Sequence, residues 1–202
     1  MKLYDGGRAP NPRRVRIYLA EKDIEVATQP VDIGALAQRS PEFTALNPMQ
    51  RTPVLVLDDG AVIAESIAIC RYFEELFPKP SLFGTGALER AQVEMWQRRV
   101  EFGLLNTVAA VFRHLHPAMA EMELPQVPEW GEANKPKVKE FLALLDERLA
   151  KTEFLAGDFS IADITGLVAL DFMKPAKLSI PEEFTHVRRW HGALKARPSA
   201  AA

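Results

Sequence analysis

Only one cysteine, Cys70, occurs in the 202 residues, which excludes an internal disulfide and any paired-thiol metal or redox motif. No uninterrupted apolar run approaches the roughly 18 residues that a membrane span requires, so no membrane partner is expected. The opening stretch, Met1-Lys2-Leu3-Tyr4-Asp5-Gly6-Gly7, lacks an apolar run of signal-peptide length, and the cytoplasm is the expected address. Neither sign of charge dominates. The 25 Lys and Arg against 27 Asp and Glu leave a formal net charge of −2, which argues against nucleic acid or an anionic surface as a partner. Internal repeats and low-complexity tracts are missing as well. What remains is an ordinary globular composition, 48% hydrophobic and 26% charged, enough for one large core or two small ones.

The first third alternates strand-like and helix-like pieces. Lys2 to Tyr4 reads as a short strand ending at Gly6-Gly7. Asn11-Pro12 reads as the N-cap and first position of a helix, with Val15, Tyr18 and Leu19 on its apolar face. A second strand is expected over 25–31. Pro53 then leads into Val54-Leu55-Val56-Leu57, the turn Asp58-Asp59-Gly60 and the partner strand Ala61-Val62-Ile63. A helix over 65–77 follows. This order, strand–helix–strand then strand–strand–helix, is that of a thioredoxin-like domain, although other α/β units share parts of it.

Residues 78–86, rich in turn formers, read as a linker. Beyond it the periodicity is helical throughout. Trp96, Val100, Leu104, Val108, Val111, Phe112 and Leu115 mark one long amphipathic helix, broken between Leu124-Pro125 and Gly131; Val138 to Leu149 mark the next. The segment 161–172 is apolar almost all round and belongs inside a bundle. Its start carries a capping box, Ser160 with Asp163, and a hydrophobic staple, Phe159 with Ile164. A last helix contains Val187, Trp190 and Leu194. The expected organisation is an α/β domain over 1–80 and an all-α domain, a C-terminal helical bundle, over 86–202.

Several strings in order carry a resemblance. Leu3-Tyr4, the helix from Asn11 to Glu21, Asn47-Pro48 through Arg51-Thr52-Pro53-Val54, and Glu65-Ser66-Ile67-Ala68-Ile69 resemble the N-terminal half of the cytosolic glutathione transferases. Phe154-Leu155-Ala156-Gly157 followed by Ser160-Ile161-Ala162-Asp163 resembles that family's sixth-helix capping motif. The likeness covers essentially the whole chain. It is greatest to the branch typified by the second yeast enzyme, which lacks the usual catalytic Tyr, Ser or Cys. It implies glutathione as co-substrate, a small apolar electrophile as second substrate, and a homodimer. The activity it implies is conjugation of the glutathione thiolate to that electrophile. A glutathione-dependent disulfide or peroxide reductase and a non-catalytic binding module are the alternatives.

The resemblance also assigns residues. Thr52-Pro53 read alone is an ordinary trans proline starting an edge strand; the resemblance makes the bond cis, with the Thr52 backbone pairing the peptide. Glu65 and Ser66 read alone start and cap a helix. In the family's setting Ser66 takes the γ-glutamyl carboxylate and Glu65 the amine. Arg51, Gln38 and Arg39 fall where the glycyl carboxylate is held, or are solvated surface groups. Glu94 falls where some relatives reach the neighbouring subunit's ligand. The stretch Gly7-Arg8-Ala9-Pro10-Asn11 offers no hydroxyl or thiol, with Ala9 in the customary slot. Thiol activation therefore falls to the first helix's N-terminus and the cationic charge of Arg8, Arg13 and Arg14, with Asn11 as an assistant and His114 at most holding a water. Ala109 and Arg113-His114 stand where the branch has a serine and a histidine pair. His114 and His116, two apart on a helix, face different ways and form no metal pair; no metal is expected. Cys70 reads as a small buried apolar residue.

Overall fold

The computed structural model describes residues 1–202. The chain divides into two compact units, Met1–Ser81 with Pro198–Ala202, and Leu82–Arg197. The last five residues thus return to the first unit.

That unit runs β1 (Lys2–Asp5), α1 (Pro10–Glu21), β2 (Ala27–Pro30), a 3-10 turn (Ala37–Arg39), α2 (Pro41–Leu46), β3 (Val54–Val56), β4 (Val62–Ala64) and α3 (Ser66–Leu76). Its sheet has the order β2-β1-β3-β4. β1 and β2 are parallel, which demands a crossover, and α1 supplies it. β1–β3 and β3–β4 are antiparallel, the last pair joined by a tight hairpin with Gly60 at φ 87°. This is the thioredoxin-like arrangement. Period-two alternation splits the sheet's faces. Leu3 and Leu55, register partners, are fully buried, as are Val15 and Tyr18 of α1 and Ile69 and Phe73 of α3. A second cluster gathers Val31, Phe43 and Val54 with Tyr4 and Leu46.

Two differences from the sequence reading have local causes. α1 starts at Pro10, not at Asn11-Pro12. Ala9 stands before a proline and stays extended, at φ −64° and ψ 142°, because proline's ring disfavours the helical region for its predecessor. Asn11 is therefore the second helical residue and Pro12 the third. α2 went unread because six residues carry no period; its start is nevertheless written, with Ser40 accepting from the Phe43 N–H and Pro41 at the first position.

The second unit holds α4 (Gly86–Val100), a π-helical turn (Glu101–Leu105), α5 (Asn106–Leu115), α6 (Pro128–Leu149), α7 (Ile161–Met173) and α8 (Thr185–Lys195). The single long helix expected over 96–115 is interrupted at the π turn, where the Asn106 N–H donates to the Glu101 carbonyl. The Thr107 hydroxyl donates to the Gly103 carbonyl at 2.9 Å, satisfying an acceptor that the slipped ladder releases. Gly103 lies where a Cβ would run into the Phe141 ring. α6 opens at Pro128, so Glu129-Trp130-Gly131 is helical and not part of a break. α7 is buried on nearly every side, and its capping box is complete. Asp163 accepts from the Leu155 N–H and Trp190 Nε1 with one oxygen, and from the Ser160 N–H and hydroxyl with the other, all at 3.0–3.1 Å. Burial pushes its carboxyl up to about 6, against the pull of those four donors. No helix is long and apolar enough to cross a membrane.

Candidate functional site

The turn between β1 and α1 is clamped from below. Asp5, 5% exposed, accepts from the Gly7 N–H at 2.6 Å and from Arg16 Nη1 with both oxygens at 2.7 and 2.8 Å. Arg16 also donates to the Gly7 carbonyl at 3.0 Å. Gly6 has no room for a side chain: a Cβ there would meet Ile33 and the Thr52 hydroxyl. The Asp5–Arg16 pair and the Gly6–Thr52 approach thus fix the turn that delivers Arg8 and Ala9 to the start of α1.

That start is unusual in its donors. The first N–H groups of a helix have no partner within it, but Pro10 and Pro12 have no N–H to offer. The Arg13 N–H is bonded to the Ala9 carbonyl at 3.3 Å. Asn11 therefore carries the one orphan main-chain N–H of this first turn. No side chain caps the helix. Asn11 Oδ1 accepts from Arg14 Nη2 at 3.2 Å, which leaves the side-chain amide nitrogen as its second donor.

The start of α3 is different. Glu65 stands at its N-cap with φ 72° and ψ 119°, a left-handed conformation uncommon for a residue with a side chain and typical of sites where backbone geometry is held for a function. Its carbonyl takes the Ile69 N–H at 3.0 Å, and no side chain caps the helix. The N–H groups of Ser66, Ile67 and Ala68 are left open, with the buried Ser66 side chain among them. Thr52-Pro53 is a cis peptide, as the resemblance implied. Thr52 is buried at 8% exposure, directly ahead of β3, which is bonded to β4, the strand that runs into Glu65. Arg51 is exposed, and its carbonyl accepts from Asn47 Nδ2 at 2.8 Å. Gln38 is buried in the 3-10 turn with no partner for its Oε1.

Other sequence-selected residues have partners within the chain. Arg13 Nη2 donates to the Ala200 carbonyl at 3.0 Å, tying down the returning C-terminal turn. His114 Nδ1 accepts from the Val127 N–H at 3.1 Å, so its proton sits on Nε2, which faces Glu123 at 4.0 Å. That ring fastens the loop after α5. Glu94 is bridged along α4 by Arg98 Nε at 2.7 Å. Cys70 is fully buried, and burial pushes its thiol well above the usual range despite Arg14 nearby, which makes it inert. No group of three His, Cys, Asp or Glu is placed to hold a metal ion. A surface hollow of about 630 Å³ lies against β2 and the end of α1, lined by Leu3, Leu19, Ile24 and Val26. Of the residues placed at the β1–α1 turn and at the start of α3, Arg16 alone borders it.

Asp5 and Arg16 have no counterpart in the sequence reading, and Arg14, expected only as one of three cationic charges near the helix start, is fully buried. In Pro12-Arg13-Arg14-Val15-Arg16 all three arginines look alike; only the helical phase of Arg14, one position before the buried Val15, separated it from a surface charge.

Two family models match the chain: Glutathione S-transferase, N-terminal domain, over residues 9–76, and Glutathione S-transferase, C-terminal domain, over residues 110–198. Glutathione S-transferase 2 of Saccharomyces cerevisiae is 39% identical over 203 residues, spanning 98% of this chain and 87% of the relative. Among solved structures, a glutathione S-transferase domain-containing protein of Marinobacter aquaeolei superposes with a TM-score of 0.95 at 43% identity, over 98% of this chain and 99% of that one. Gtt2 from Saccharomyces cerevisiae does so with a TM-score of 0.95 at 38% identity, over 100% and 99%.

Proposed function

The chain belongs to the glutathione S-transferase family, transferases that take glutathione as co-substrate, and on that premise we propose that it conjugates the glutathione thiolate to a small apolar electrophile. The observation that carries this reading is the pair of uncapped helix starts in one unit, α1 at Asn11 and α3 at Glu65-Ser66. Glutathione has two anionic ends and a thiol between them. The open N–H groups and hydroxyl at the start of α3 suit its γ-glutamyl carboxylate. Glu65 supplies negative charge for the adjacent amine. The Thr52 main chain, beside β3, suits the peptide backbone. Arg51 and the amide of Gln38 are the donors on offer to the glycyl carboxylate.

The thiol's proton leaves to solvent as the sulfur is stabilised by the two donors of Asn11 and by the positive end of α1. The sulfur then forms a bond to the electrophilic carbon, and the leaving group departs with its bonding electron pair. Arg13 adds its positive charge near this helix start while its Nη2 holds the Ala200 carbonyl, and His114, whose Nδ1 accepts from the Val127 N–H, at most holds a water. Activity is tested with a nitroaromatic chloride, a hydroperoxide and a mixed disulfide. Turnover of the first supports conjugation; turnover of only the last two assigns a reductase instead. We also infer a homodimer, from the family and from Leu76 and Phe77, 48% and 47% exposed at the end of α3. Light scattering should give about twice the 22.6 kDa of one chain.

A further inference from the structure

Arg14 is 0% exposed, although it sits in the second turn's approach to an open helix start. Removing a guanidinium from water is expensive unless its charge and donors are used. Among its contacts, Nη2 donates to Asn11 Oδ1 at 3.2 Å. Arginine has donors and no acceptor, so it can hold only the oxygen end of the Asn11 amide. The terminal torsion of asparagine is soft and nearly two-fold. Rotated by half a turn, the amide would set its NH2 against the guanidinium donors and turn its oxygen lone pairs toward any anion at the helix start. Arg14 removes that ambiguity.

We propose that Arg14 is a positioning residue for thiol activation: by holding Asn11 Oδ1 it commits the amide's NH2 end to the bound glutathione sulfur. This rests on the glutathione-conjugating reading above. It explains why the first turn can dispense with a hydroxyl at Ala9. With Pro10 and Pro12 lacking N–H groups, the main-chain N–H and the oriented side chain of Asn11 are the two donors the turn provides. Other charged and titratable groups lie close along the chain or are coupled to Arg14 through Cys70. They are Arg8 and Asp5 in the preceding turn, Arg13 and Arg16 on α1, and Cys70 and Glu74 on α3. The returning segment, Pro198 to Ala202, has no ionisable side chain.

Arg14 could instead lower the thiol's pKa through its own charge, and a double-mutant cycle separates the two routes. The pKa of bound glutathione is read from thiolate absorbance in the parent, Asn11→Ala, Arg14→Met and the double variant, with glutathione affinity measured by calorimetry. Each single substitution should raise the pKa by about one unit, the worth of one charge-assisted hydrogen bond. The double variant should rise no further than Asn11→Ala alone. Additive shifts would overturn the proposal, because Arg14 would then act independently of Asn11. Should Arg14→Met not fold, Asn11→Asp carries the test. It keeps an oxygen for Arg14 and removes the NH2 donor, so thermal stability should hold while the thiol pKa rises more than in Asn11→Ala. An unchanged pKa, or a clear loss of stability, would contradict it. A parent that binds no glutathione would defeat the underlying reading instead, and calorimetry registers that outcome separately.

Discussion

Helices α1 and α3 begin in the same unit, yet their first turns hold different stocks of hydrogen-bond donors. α3 presents three consecutive main-chain N–H groups and a serine, introduced by a left-handed Glu65. α1 presents one N–H and one amide, because prolines occupy its first and third positions. A carboxylate, with two oxygens and several lone pairs, uses many donors; a single sulfur uses few. The contrast separates a place built for holding an anionic group from a place built for tuning one atom. α7 supplies the control. Its start is closed by its own Ser160 and Asp163, with every oxygen of Asp163 engaged, and nothing is left for a ligand.

The largest effect should therefore fall on stability, at the closed start. Asp163→Asn leaves at least one buried donor unsatisfied, costing about 2–4 kcal/mol, read as a lower urea midpoint. The pH dependence has a definite sign. The carboxyl is raised from 3.8 to about 6 in the folded chain, so the folded state binds the proton more tightly than the unfolded one. The stability this group contributes is fully present below about pH 4 and is lost as pH rises through about 6. The parent's advantage over Asp163→Asn should shrink across that window, and a growing advantage would reverse the assignment.

At the open start of α3 the effect should move from stability to binding. Ser66→Ala is expected to weaken glutathione binding by about 1–3 kcal/mol, with unfolding free energy changed by no more than about 0.5 kcal/mol. The bound thiol's pKa should stay where it was. Calorimetry giving equal affinities for parent and variant would remove Ser66 from the site. The smallest effect belongs to Cys70, which lies on α3 but on its buried side. Cys70→Ala should leave turnover per folded molecule within about twofold, since a buried, protonated thiol takes no part in the chemistry. A tenfold loss with an unchanged circular-dichroism spectrum would show otherwise.

The features legible in the sequence are those written by neighbours along the chain. The Ser160–Asp163 box spans three residues, the Asp58-Asp59-Gly60 hairpin is local, and Glu65-Ser66 follows directly from β4. The features that were not legible depend on contacts across long stretches. Arg13 meets Ala200, 187 residues away, and His114 meets Val127 across a loop; both are main-chain acceptors or donors that no side-chain pattern announces. Asn11 reads both as a helix cap, because asparagine before a proline has that signature, and as an amide donor to the sulfur. The preceding proline, Pro10, moved the helix start and turned Asn11 from a cap into a pair of donors. The π turn at 101–105 escaped for a related reason: hydrophobic periodicity continues through it, and only the fit of Phe141 against Gly103 marks where the ladder slips.

The central claim, that the start of α1 activates the thiol without a hydroxyl at Ala9, is tested most directly by titrating glutathione bound to the unmodified protein. Thiolate absorbance in the ultraviolet, followed from acidic to alkaline pH at saturating protein, gives the bound pKa. It should lie clearly below that of free glutathione measured in the same buffer, and Asn11→Ala should move it back toward the free value by about one unit. A bound pKa equal to that of free glutathione would contradict the account and leave the protein a glutathione binder without the means to activate it.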